Sequence, residues 1–149
     1  MKNKRISIIE IISIIIIIIA LVTLIRPLNI KVSDNKKQRD YISNVNVFVD
    51  KAVDMYKQEK YRNDNSYFTK INGGYIISLD KLKDLDLDKD PYGYEYKKNE
   101  SFIIFKDKNE EVIVNIKSCM MDSDIEKCYE IANVNVKDLD VQSIKTSLN

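Results

Sequence analysis

Histidine and tryptophan are absent from this chain, and glycine, proline and cysteine occur only three, two and two times in 149 residues. Without histidine no nucleophile, imidazole and acid can be assembled, and the side chain that most often moves protons near neutral pH is missing. Three glycines, two of them adjacent, do not make a phosphate-cradling loop. No enzyme is expected. Two cysteines with no histidine cannot complete a zinc site, so neither a metal nor a cofactor is expected. Charge of one sign is lacking too: 24 Lys and Arg stand against 23 Asp and Glu, a net charge of +1. That balance removes any chain-wide electrostatic draw toward nucleic acid. The length leaves room for one small globular domain beside a hydrophobic segment.

That segment is the most informative part of what is present. Residues Ile6 to Ile25 read ISIIEIISIIIIIIALVTLI, including six consecutive isoleucines. As a helix rising about 1.5 Å per residue it matches the roughly 30 Å hydrocarbon core of a bilayer. Isoleucine is a poor helix former in water, but a bilayer offers the backbone no hydrogen-bond partner outside the helix. Lys2, Lys4 and Arg5 precede the segment and favour a cytoplasmic N-terminus, although Arg26 and Lys31 beyond it weaken the asymmetry. The apolar run is too long for a cleavable secretory signal, and no small-residue cleavage site follows it. Its only charge is Glu10. A carboxylate in such a segment is costly and is read as functional unless it can snorkel to the headgroups.

Lys4-Arg5, then Ile6-Ser7-Ile8-Ile9-Glu10, the apolar run and Pro27 together resemble the N-terminus of type IV pilins and pseudopilins. In that family a short basic leader is cut, a glutamate lies four residues after the cut, and a proline bends the helix further on. Aligned on Glu10, the resemblance makes Met1 to Arg5 the leader and Ile6 the first, N-methylated mature residue. Arg5 stands where the family has glycine before the cut. The resemblance implies that Glu10 and Pro27 serve assembly, that Arg5 and Ile6 flank the processing site, and that the partners are a prepilin peptidase, the membrane and other subunits of the same kind.

Beyond Pro27, Tyr41, Val45, Phe48, Ala52 and Met55 follow helical spacing, with polar residues on the other side. This predicts an amphipathic helix from about 31 to 61, its apolar stripe packed in the domain's own core. Arg62 to Gly74 reads as a loop, Tyr75 to Ile77 as a short strand, and Ser78 as the cap of a helical turn. Asp90-Pro91-Tyr92-Gly93 has the proline and glycine of a type I turn. Tyr94 to Lys97, Ser101 to Lys106 and Glu111 to Lys117, separated by KKNE and DKNE, predict an antiparallel meander. The Asp-Pro-aromatic-Gly turn before a meander also resembles the domain of type II secretion major pseudopilins. Ser123 with Glu126 fits a capping box, so a helical turn is expected between the cysteines. The tail from Val134 to Ile144 could add one more strand.

Cys119 and Cys128 form an even pair in the part placed outside the cell, which points to a disulfide. Asp86, Asp88 and Asp90 alternate like calcium ligands, but an EF-hand would need glycine at Pro91 and glutamate at Lys97. These residues, and Asp122 with Asp124, are read as solvated charged turns. Lys36, Lys37 and Arg39, and Lys57, Lys60 and Arg62, lie near tyrosines and are read as solvated helix faces, with nucleic acid left open.

The expected fold is therefore α+β and pilin-like: a long N-terminal helix, transmembrane in its first half, packed on a small antiparallel sheet with a disulfide-closed C-terminal loop. The expected organisation is a leader over 1–5, a membrane or filament-core helix over 6–30, an amphipathic helix over 31–61 and an extracytoplasmic domain over 62–149. The expected function is a structural subunit of a pilus-like or pseudopilus filament, held in the cytoplasmic membrane with its domain outside. The alternative is an uncleaved single-pass anchor displaying a small binding domain, with Glu10 paired to Lys2, Lys4 or Arg5.

Overall fold

The computed structural model describes residues 8–107 and 110–148, with side chains from Ser33 onward. The chain divides into two compact units, Met1–Lys36 and Lys37–Asn149. A single helix, α1, runs Ile8–Lys57 and includes Pro27 without interruption. Gln58 breaks it, and a four-residue helix, α2, follows at Glu59–Arg62. The predicted 31–61 helix therefore belongs to a longer element and ends early.

The second unit is dominated by one seven-stranded antiparallel sheet. Its strands are β1 (Thr69–Ile71), β2 (Gly74–Ser78), β3 (Glu95–Tyr96), β4 (Phe102–Lys106), β5 (Val112–Asp122), β6 (Ile125–Asn135) and β7 (Lys145–Leu148). The main path is β1-β2-β4-β5-β6-β7, and β3 pairs with β5 beside it. The long strands form its centre, while three-residue β1 and four-residue β7 form the edges. Short edges limit the unpaired backbone open to another strand.

The expected fold class is corrected here. From Ser33 onward the chain is mostly this large sheet, not a small one appended to a membrane helix, and its helical part from Ser33 to Lys57 is not apolar. Among the described residues no helix is long and apolar enough to cross a membrane, and the side chains of the apolar run lie outside those residues. The sheet is larger than the sequence predicts because β6 does not alternate: its buried positions are Cys128 and Ile131, three apart, so the two-residue period that marks a strand is lost. The helical turn expected between the cysteines is replaced by the β5–β6 hairpin. Asp122 opposes Ile125 and Cys119 opposes Cys128, with Ser123 at the turn in the left-handed region at φ 59°. A helix there would break the register that puts the two cysteines opposite each other. The KKNE segment is not a hairpin either, because β3 and β4 both pair with β5 at successive points along it.

The stripe Tyr41, Val45, Phe48, Ala52 and Met55 is buried in one cluster with Ile77, Ile103, Ile116 and Ile131. Aromatic rings tie this core together. Phe48 meets the Tyr96 ring edge-on at 4.9 Å, and Tyr56 stacks on Phe105 at 4.3 Å. At Gly74 the backbones of β2 and β4 approach so closely that a Cβ would lie 1.9 Å from the Phe105 carbonyl oxygen. Only glycine fits there.

Candidate functional site

Of the residues singled out by sequence, Arg5 and Ile6 lie outside the described residues. Glu10 and Pro27 lie on the helical backbone of α1, with side chains outside the described set. Cys119 and Cys128 form the expected disulfide, and both are buried. The bridge links directly opposed positions on β5 and β6. The two cysteine sulfurs and Glu126 are the only group of three potential metal ligands among the described residues, and the bridge takes up both sulfurs.

The three alternating aspartates do not converge. Asp88 accepts a hydrogen bond from Lys98 Nζ at 2.6 Å, which lowers its carboxyl below the usual range. Asp90 instead turns inward and is only 5% exposed. Its Oδ1 accepts from the backbone N–H groups of Tyr92 and Tyr94, both at 2.8 Å, and its Oδ2 accepts from the Ser118 hydroxyl at 2.6 Å. The turn itself closes through the Gly93 N–H to the Asp90 carbonyl at 2.9 Å, with Gly93 at φ 89°. The Ser118 hydroxyl oxygen also lies 3.3 Å from the Tyr41 phenol, which donates to the Tyr129 carbonyl at 3.4 Å. One carboxylate thus joins the 90–94 turn, β5 and α1.

Burial pushes the Tyr41 and Tyr96 phenols well above their ordinary value near 10, and the Asp90 charge adds to this. Asn44 donates to the Tyr96 hydroxyl at 3.2 Å. Above this network Tyr92 stacks on Tyr129 at 4.2 Å, with Lys37 over the Tyr92 ring at 5.3 Å and Lys127 5.8 Å from that of Tyr129. Lys37, one of the basic residues noted beside tyrosines, is thereby engaged with a ring of its own unit.

Chemically, the network holds a fold rather than presenting a reagent. Ser118 is fully buried and its proton is directed at Asp90, so its oxygen is not offered to a substrate. An open depression of about 600 Å³ is lined by residues that include Asp88, Lys97, Lys98 and Glu100. These four are engaged in ion pairs: Lys98 with Asp88, Lys97 with Glu126 and Lys117 with Glu100. The sequence pattern marks the Asp90 turn but not its partners Ser118, Tyr41 and Tyr129. The available signal was the aspartate at the first position of a proline turn, where its side chain bonds to backbone two residues on.

No family model, curated protein or solved structure matches this chain.

Proposed function

We propose that this protein is a structural subunit of a filament of the type IV pilus or pseudopilus kind, anchored by its N-terminal apolar segment and assembled through it. The observation that carries the reading is Glu10, the single charge in Ile6 to Ile25. Basic residues before it and Pro27 after it stand at the spacing of that family's N-terminus. The α1 backbone supports the reading in that Glu10 and Pro27 both lie on one uninterrupted helix, Ile8–Lys57.

When such segments pack against one another, the Glu10 carboxylate enters a low-dielectric setting where an unpaired charge is costly. The polar residues of the segment besides it are Ser7, Ser13 and Thr23, none of them a cation. A positive group must therefore come from outside the segment. The amine of Ile6 on a neighbouring subunit supplies one after cleavage behind Arg5, and the pair sets the axial register of the filament. Glu10→Ala should enter the membrane at least as well as the wild type, since a charge is removed, while losing assembly. Quantifying the protein in membrane and sheared surface fractions tests this. Wild-type amounts of filament from the variant would remove the mechanism.

A further inference from the structure

The β1–β2 turn carries a reactive dipeptide that no part of the filament reading uses. Asn72 and Gly73 form the two-residue connection between β1 and β2, with Ile71 opposite Gly74, and both are exposed. Asn72 is the only asparagine in the chain followed by glycine. Gly73 sits at φ 82°, and nothing lies within 4 Å of the position a Cβ would take there. Among the described residues neither the Asn72 side-chain amide nor the Gly73 N–H takes part in a hydrogen bond. The nucleophile, the carbonyl it would attack and the approach to both are therefore open.

We propose that Asn72 is a site of spontaneous deamidation that converts the β1–β2 turn to a mixture of aspartate and isoaspartate. The Gly73 nitrogen attacks Asn72 Cγ, forming a new C–N bond in a five-membered succinimide. The Gly73 N–H proton is lost and the side-chain amide nitrogen leaves as ammonia. Water then opens the ring at either carbonyl, returning an aspartate or a main chain lengthened by one methylene group. The two groups belong to adjacent residues, so the attack is intramolecular and carries a small entropic barrier. A side chain at the following residue would crowd that attack, and Gly73 has none.

The structure also fixes what the longer product does. Asp107 N–H donates to the Gly73 carbonyl at 2.9 Å, and Gly74 is pressed against the Phe105 carbonyl with no space for an added atom. The turn is thus held on the β4 side and cannot absorb a methylene there. The extra length must be taken up by β1, which has only three paired residues, Thr69, Lys70 and Ile71. Isoaspartate at 72 therefore frees the β1 edge while leaving β2 in place.

The test uses the full chain in detergent, aged in mildly alkaline buffer and mapped by peptide mass spectrometry with electron-transfer fragmentation to separate the two products. Asn65 and Asn99, both exposed, serve as controls within the same sample. Asn72 should convert about tenfold faster than either, a barrier lower by about 1.4 kcal/mol, and Asn72→Gln should abolish the new product. Conversion of Asn72 no faster than the controls in the folded protein would overturn the assignment. The isoaspartyl fraction should show faster amide exchange at Thr69 to Ile71 than unaged protein. Equal exchange would overturn the proposed release of β1.

Discussion

Two carboxylates in this chain invite comparison: Asp90, in a charged stretch of sequence but buried in the fold, and Glu10, the single charge in an apolar run. Asp90, in the unit Lys37–Asn149, collects two backbone N–H groups and the Ser118 hydroxyl from its own chain and is 5% exposed. Glu10, in the unit Met1–Lys36, has no basic residue within the segment Ile6 to Ile25. A buried carboxylate satisfied internally fixes a fold, because every donor it recruits becomes a constraint on the chain. For Glu10 the filament proposal puts the missing positive group on a neighbouring subunit, and the anchor alternative puts it on Lys2, Lys4 or Arg5 of the same chain. On the filament proposal the same chemical group is architecture in one region and a demand for a partner in the other.

Substitution at the two sites should separate these roles. The largest effect is expected from Glu10→Ala, which should abolish filament while leaving the thermal transition of the sheet unit unchanged. Lowered stability of the sheet unit together with normal filament would invert the comparison. Asp90→Ala should do the reverse, removing three hydrogen bonds and leaving buried donors unpaired, at a cost of about 3 kcal/mol in a denaturant titration. Asp90→Asn should recover much of this loss, since its carbonyl still accepts from Tyr92 and Tyr94 and its amide can donate to Ser118. If the two Asp90 variants are equally destabilised, the network does not work through these hydrogen bonds.

The disulfide ranks next. Replacing Cys119 and Cys128 together by serine should cost about 2 to 3 kcal/mol, as expected for releasing a loop of this size in the unfolded chain. Unchanged stability would show that the β5–β6 pairing alone holds the hairpin. The pH dependence follows from the buried phenols. Tyr41 and Tyr96 lose protons less readily in the fold than in the unfolded chain, so the folded state retains protons that the unfolded state gives up. Their contribution is full below pH 10 and falls as the pH rises past that value. A Tyr41→Phe, Tyr96→Phe pair should flatten the alkaline slope of stability, read by circular dichroism along a pH series. The smallest effect is expected at Lys98→Met, which breaks a largely exposed ion pair with Asp88 and should leave the denaturation midpoint nearly unchanged.

What the sequence disclosed divides along the same line. The helical stripe from Tyr41 to Met55 was legible because five buried side chains recur at helical spacing and contact one core. Strand β4 was legible as a short run between polar connections, the inner part of β5 through alternation, and the disulfide through cysteine count and assumed compartment. Strand β6 was not, since it lies between a hairpin turn, an edge strand and a core whose contacts bury Cys128 and Ile131 but leave the intervening Tyr129 half-buried beneath Tyr92. Strand β1 was hidden by its length and by exposed Thr69 and Lys70, which carry no hydrophobic signal. The Asp90 turn was visible as a turn, but its partners at 41, 118 and 129 are tertiary and leave no local pattern. Glu10 is the converse case, conspicuous in sequence and placed where the described side chains do not reach.

Mass spectrometry of the intact N-terminal peptide, taken from both membrane and surface-sheared fractions, tests the filament reading most directly. Processed subunits should begin at Ile6, with a methylated amine, and the sheared fraction should contain only that form. Met1 or its immediate successor retained throughout, with no protein in the sheared fraction, would contradict a filament subunit and leave a single-pass anchor in its place.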